Sequence, residues 1–169
     1  QRGPLTHAAL LQALAGPLQG LTTLRFGGEC LTTARAPALL AALPPGIQVL
    51  ELRACTSSFT ASEALLGALR QRVEAGLMLQ LRELTVEGDI SIRAGSRLVR
   101  ALCAPGLQQP RRLDKFQLMW LAATGSNDGG DPSRQSATDC AEALERALTG
   151  HGCGSVRIVP HIPPDNDLE

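Results

Sequence analysis

Apolar residues recur along the chain in two alternating phrases. The first is six residues long and appears five times: ALLQAL at 9–14, ALLAAL at 38–43, ALLGAL at 64–69, RLVRAL at 97–102 and ALERAL at 143–148. Leucine holds its second and sixth places, and alanine its fifth, every time. Residues four apart lie on one face of a helix, and a small alanine beside them lets that face sit close to a neighbour. Each phrase therefore predicts the buried stripe of a short helix. The second phrase follows each helix: LTTLRF at 21–26, IQVLEL at 47–52, LRELTV at 81–86, LDKFQL at 113–118 and CGSVRI at 153–158. Its form is apolar-x-x-apolar-x-apolar, and the alternation of its last three residues is the period of a strand. The strand phrases start at 21, 47, 81, 113 and 153, separated by 26, 34, 32 and 40 residues. The gap from helix to strand is short after Leu14, Leu43 and Leu148, and longer after Leu69 and Leu102.

Strict alternation of helix and strand predicts an α/β fold with parallel strands. The strands of a doubly wound sheet are covered on both faces and read as near-continuous Val and Ile. These strands instead carry Arg, Glu, Thr, Gln or Lys at every other place. One face of each strand is thus expected to be wet, with helices covering only the other.

On these residues the chain resembles the leucine-rich-repeat family, whose units read LxxLxL, then an Asn- or Cys-type position, then a helix. Within it the chain is most similar to the ribonuclease-inhibitor type, in which each unit carries a true helix. The resemblance covers roughly 5–159 and is good for the units beginning at Leu21, Ile47 and Leu81. It implies a short horseshoe-shaped solenoid of about five degenerate repeats, with a parallel sheet on the concave face and helices on the convex one. In the family's polar slot, three residues past the strand run, stand Cys55 and Asp89, with Glu29 a poor substitute. There the side chain would tie down the turn backbone. Leu121 and His161 hold that slot in the last two units, and Cys153 replaces Leu at the start of the last strand. Those units are degenerate, as in a diverged member of the family or at the C-terminal end of an array, where units become atypical.

The domain so read spans 1–159. Residues 121–139, LAATGSNDGGDPSRQSATD, break the period and read as a mobile insertion, with Thr138 and Asp139 starting the next helix. The tail 160–169, PHIPPDNDLE, has three Pro, ends acidic and is expected to be extended. The chain begins at Gln1 without Met, and its first recognisable element is already a helix. A fragment of a longer protein, with repeats upstream, is expected.

Composition sharpens this picture. Hydrophobic residues make up 44% of the 169 and aromatics 2%, so the core is packed from Leu, Ala and Val. Sixteen basic residues, of which only Lys115 is a lysine, cancel 16 acidic ones. That balance supplies no global field to draw nucleic acid or an anionic membrane. No apolar run reaches the roughly 18 residues that span a bilayer. Five scattered Cys, with no close CxxC pair, fit a reduced, cytoplasmic setting.

The wet strand face is the leading candidate site. The open positions are Thr22, Thr23 and Arg25; Gln48, Val49, Glu51 and Arg53; Arg82, Glu83, Thr85 and Glu87; Asp114, Lys115, Gln117, Met119 and Trp120; and Ser155 and Arg157. Arg25, Glu51, Thr85, Gln117 and Arg157 are expected to form one row across the sheet. Forked Arg contacts and charge-assisted hydrogen bonds suit such a face to a protein partner, and Trp and Arg are frequent anchors. Partner contacts are therefore placed at Arg25, Glu51, Arg53, Arg82, Glu87, Lys115, Gln117, Trp120 and Arg157. The opposing reading is a solvated face with cross-strand ion pairs, and for Trp120 burial under the 121–139 loop.

Other chemistry is less well supported. Cys140, His151, Cys153 and His161 offer zinc-type donors, but their spacing matches no short structural site. Nothing local marks Cys30 or Cys55 as activated by His7, His151 or His161. GSNDGGDPS and GHGCGS lack the GK[ST] ending of a phosphate loop. Arg70/Arg72 and Arg111/Arg112 read as solvated loop residues. The expectation is a protein-interaction module, not an enzyme, with no cofactor, metal, small-molecule substrate, nucleic acid or membrane. The competing readings are a regulator of an enzyme (GTPase-activating or inhibitory), with Arg53 and Asp89 nearest the required corner, and an architectural subunit of a large assembly.

Overall fold

The structure is a computed structural model that describes residues 6–27, 31–54, 56, 58–104, 113–122 and 134–161. Helix and strand alternate throughout: α1 (His7–Ala15), β1 (Thr23–Gly27), α2 (Arg35–Ala41), β2 (Val49–Arg53), α3 (Phe59–Glu74), β3 (Glu83–Ser91), α4 (Ile92–Leu102), β4 (Lys115–Ala122), α5 (Arg134–Gly150) and β5 (Ser155–Pro160). The five strands form one parallel sheet in the order β1-β2-β3-β4-β5. The helices pack in chain order, each against the next. A doubly wound sheet reverses its strand order partway; this one never does.

Each strand phrase enters the sheet at its third residue, and equal places in the phrase pair with one another. Leu24, Leu50, Leu84, Phe116 and Val156 stand in one register row, and Phe26, Leu52, Val86, Leu118 and Ile158 in another. On the three inner strands these residues are buried; on β1 and on Val156 of β5 they are only partly covered, because an edge strand has one neighbour. The second and sixth residues of all five helix phrases, from Leu10 and Leu14 to Leu144 and Leu148, are buried in the same core. The alanine between them is half-buried in the first three units, buried at Ala101 and exposed at Ala147.

A backbone device repeats at the entry to the strands. The carbonyl of Thr22 accepts from the amides of Gln48 and Val49, that of Gln48 from Arg82 and Glu83, and that of Arg82 from Asp114 and Lys115. The last unit departs from this, and Gly154 N–H donates to Leu113 instead. A Cβ on Gly154 would stand 2.9 Å from the Asp114 carbonyl oxygen, so the phrase CGSVRI needs its glycine there.

Serine and threonine start the helices. Thr6, Ser58 and Ser91 each cap a helix, their side-chain oxygens accepting from the amides of Ala9, Ala61 and Ala94 at 3.1–3.2 Å. Ser91 is also the last residue of β3, so that strand passes into α4 with no loop. Asp89 consequently sits exposed inside β3 rather than in a turn-fixing slot. Leu121 likewise lies in β4 and is fully buried. Cys55 and Glu29 fall outside the described residues.

The expected insertion at 121–139 is narrower than its composition implied. Leu121 and Ala122 complete β4, and residues 134–139 already belong to α5. Ala137, Ala141, Leu144 and Leu148 are all buried and share a helical face, so the stripe begins two turns before ALERAL. Thr138 and Asp139 are interior to that helix rather than its cap. The Gly-rich centre, 123–133, and the tail beyond His161 lie outside the described residues. Pro160 closes β5, and His161 N–H donates to the Leu121 carbonyl at 2.8 Å.

Candidate functional site

Turning away from the core, the odd-numbered strand positions form three register rows. Arg25, Glu51, Thr85, Gln117 and Arg157 make the middle row, in the order expected. Thr23, Val49, Glu83, Lys115 and Ser155 lie on one side of it. Gly27, Arg53, Glu87, Met119 and Val159 lie on the other.

Four of the expected residues are tied together. Arg25 Nε lies 3.3 Å from Glu51 Oε2, Arg53 Nε donates to Glu51 Oε1, and Arg53 Nη1 donates to Glu87 Oε2 at 3.0 Å. The ladder thus runs from β1 to β3 and crosses between two rows. The Arg53 hydrogen bond, with help from the charges of Arg53, Arg25 and Lys115, outweighs burial and holds the Glu51 carboxyl below the usual carboxylate range. The same two carboxylates raise the Arg53 pKa. Exposure is greatest at the outer end, 70% at the Arg25 side chain against 43% at Arg53, 22% at Glu51 and 17% at Glu87. The inner members are therefore fixed and the outer arginine is reachable.

The remaining expected residues are placed differently. Lys115 and Gln117 are half-buried on β4, and Arg157 is exposed on β5 beside Gln117. Thr85, expected to be wet, is 3% exposed: it is a short side chain on the central strand, between Glu51 and Gln117. Arg82 precedes β3, as Thr22, Gln48 and Asp114 precede their strands, and is exposed at the sheet's rim outside the three rows. The backbone of Trp120 lies in β4 where the register with β5 shifts between Met119 and Leu121. Its side chain lies outside the described residues.

Several polar contacts carry no sequence signal. Arg72, read as a loop residue, lies in the last turn of α3, half-buried, and donates to the carbonyls of Ala41 and Leu43 at 3.4 and 3.1 Å. Carbonyls at a helix C-terminus have no partner within the helix, so Arg72 fastens α3 to the end of α2. Burial pulls its pKa down. Glu145 Oε1 accepts from the Ile158 amide at 2.8 Å, covering an amide of strand β5. Thr56 and Ser62 hydroxyls, both buried, lie 2.6 Å apart. Arg70 is also in α3; Arg111 and Arg112 are outside the described residues.

Among the described residues no group of three His, Cys, Asp or Glu side chains is arranged to hold a metal ion. Cys140 lies by Ser96 Oγ at 3.7 Å, while Cys153 donates to the Ser155 carbonyl. Burial pushes the thiols of Cys103 and Cys153 up, the opposite of what activates a nucleophile. Cys30 and Cys55 lie outside the described residues. Within the described residues, no helix is long and apolar enough to cross a membrane.

No protein-family model and no curated protein matches the chain. The open strand face is an in-register lattice of mixed charge.

Proposed function

We propose that the chain is a protein-interaction module of leucine-rich-repeat type, a short solenoid whose open strand face binds a protein partner. The observation that carries this reading is the Arg25–Glu51–Arg53–Glu87 ladder, laid in register across three strands on the face opposite the core. The unreversed strand order, the repeated strand-entry hydrogen bonds and the helix stacking in chain order support the repeat reading. In such an architecture each unit leans on its neighbours, and the exposed residues vary without disturbing the core.

A ladder whose inner members are held in place presents fixed charges, which favours complementarity and register over raw affinity. Arg25 at one end and Arg157 on the far strand are the exposed cations best placed for forked contacts to a partner's carboxylates. Arg53, the residue nearest the corner required of an enzyme regulator, is bonded to two carboxylates. That weighs against its reaching into another protein's active site, and favours simple docking.

The test is affinity capture from native extract with wild type and with Arg25→Glu/Glu51→Arg/Arg53→Glu/Glu87→Arg. This variant reverses the ladder's charges while keeping alternate signs within it, and circular dichroism checks its fold. A partner captured by wild type and lost by the variant supports the reading. A partner held equally by both removes the strand face from consideration and favours an architectural role through the helical side.

A further inference from the structure

Away from the strand face, α3 and α4 enclose a cavity of about 140 Å3. Glu63, Gly67 and Arg70 line it from α3, Arg93 and Arg97 from α4. Three arginines and one glutamate thus share its lining, and that carboxylate already accepts a hydrogen bond from Ser91 Oγ at 3.2 Å. Arg93 and Arg97 stand four apart on one helix, a spacing at which like charges repel. Among the described residues neither is in an ion pair.

Arg70 adds an independent observation. Its Nε is shut off from water yet has no hydrogen-bond partner, a state it shares with Arg72 Nε on the same helix outside the cavity. Its ion-pair partner Glu74 keeps Oε1 3.9 Å away, too far for a hydrogen bond. A buried donor left unmade is costly and uncommon. Gly67 points the same way: glycine weakens a helix interior, and a Cβ there would meet nothing within 4 Å. Packing does not require that glycine, but its absence of a side chain keeps the cavity open.

We propose that this cavity is a binding site for a phosphate group, gripped by Arg70, Arg93 and Arg97. The planar guanidinium fork matches a tetrahedral oxyanion, and the bonds are charge-assisted. A phosphate monoester carries nearly two negative charges at neutral pH, which suits three cations better than a carboxylate does. Drug-sized ligands fill about 300–1,000 Å3, so this cavity takes a phosphate group and not a whole nucleotide. The site is independent of the strand-face reading and survives its failure.

The experiment is NMR observation of the arginine Nε–H resonances while inorganic phosphate replaces chloride at constant ionic strength. Saturable shifts at Arg70, Arg93 and Arg97 are expected. Two folded variants should weaken the response by about tenfold or more, as loss of a charged hydrogen bond does: Arg93→Gln/Arg97→Gln, whose side chains are exposed, and Gly67→Leu, which fills the cavity. A phosphoserine peptide and its unphosphorylated form make the second arm. Tighter binding of the phosphopeptide than of free phosphate assigns the group to a protein partner, and equal binding assigns it to the free ion; both support the site. No saturable shift with either probe, or shifts unchanged in both variants, overturns it.

Discussion

The two faces of the sheet are built from the same five strands in the same register, yet they are held by different physics. On one face Leu50, Leu52, Leu84, Phe116 and Leu118 are wholly buried. One residue along each strand, Glu51, Arg53, Glu87 and Gln117 stand on the other face and keep contact with water. The apolar face removes area from water and carries the stability. The polar face exchanges protein contacts for water contacts at little net gain, and is free to be spent on recognition. The comparison teaches that register on this protein is set from the core side, and that the charge pattern opposite is carried along by it.

The largest effect expected in breaking that comparison comes from the core side. Leu84→Ala should cost about 2–5 kcal/mol. Its neighbour Thr85 is also buried but faces the other way, so Thr85→Ala should cost roughly 1 kcal/mol. Urea unfolding of both variants checks the asymmetry; equal losses would mean the two faces are not energetically distinct. Next comes Arg72→Met, which keeps an apolar stem but strips the carbonyls of Ala41 and Leu43 of their donor. The expected loss is about 1–3 kcal/mol, with amide exchange accelerated in α2 before α4.

A smaller effect sharpens the polar face. Since the Arg53 bond lowers the folded-state pKa of Glu51, its contribution is present above the unfolded carboxylate pKa. It fades as pH falls through the lowered folded value. A carboxyl NMR titration should place the Glu51 midpoint below the usual range, and Arg53→Gln should move it back up. An unmoved midpoint would show that the ladder does not act on Glu51. Smallest of all, Arg25→Ala should change stability by less than about 0.5 kcal/mol, as exposed ion pairs do; Arg25 is 70% exposed. Thermal melts are sufficient to check it.

Much of this arrangement is legible in the sequence because it depends on period. Leucines four apart placed every helix stripe, and the apolar-x-apolar endings placed every strand to within its third residue. The row Arg25–Glu51–Thr85–Gln117–Arg157 followed from equal offsets in five phrases. What depends on side-chain reach was not legible. Arg72 looked like a loop residue because its acceptors lie some 30 positions upstream, at and just past the end of another helix. The early start of α5 was hidden because Ala137 and Ala141, small and unremarkable among Ser, Thr and Asp, continue the buried stripe. Thr85 carries a polar side chain, yet the longer residues on either side of it in the register cover it. Asp89 was expected at a turn because the family pattern places one there, whereas β3 runs on to cap α4 with Ser91.

The strand-face account is tested most directly by placing a photo-crosslinking residue at Gln117, in the middle row, and separately at Glu142, exposed on α5. Each protein is then irradiated in native extract. The account predicts a covalent partner adduct from position 117, competed away by unmodified wild type, and none from position 142. An adduct formed from position 142 alone would contradict it and move recognition to the helical side.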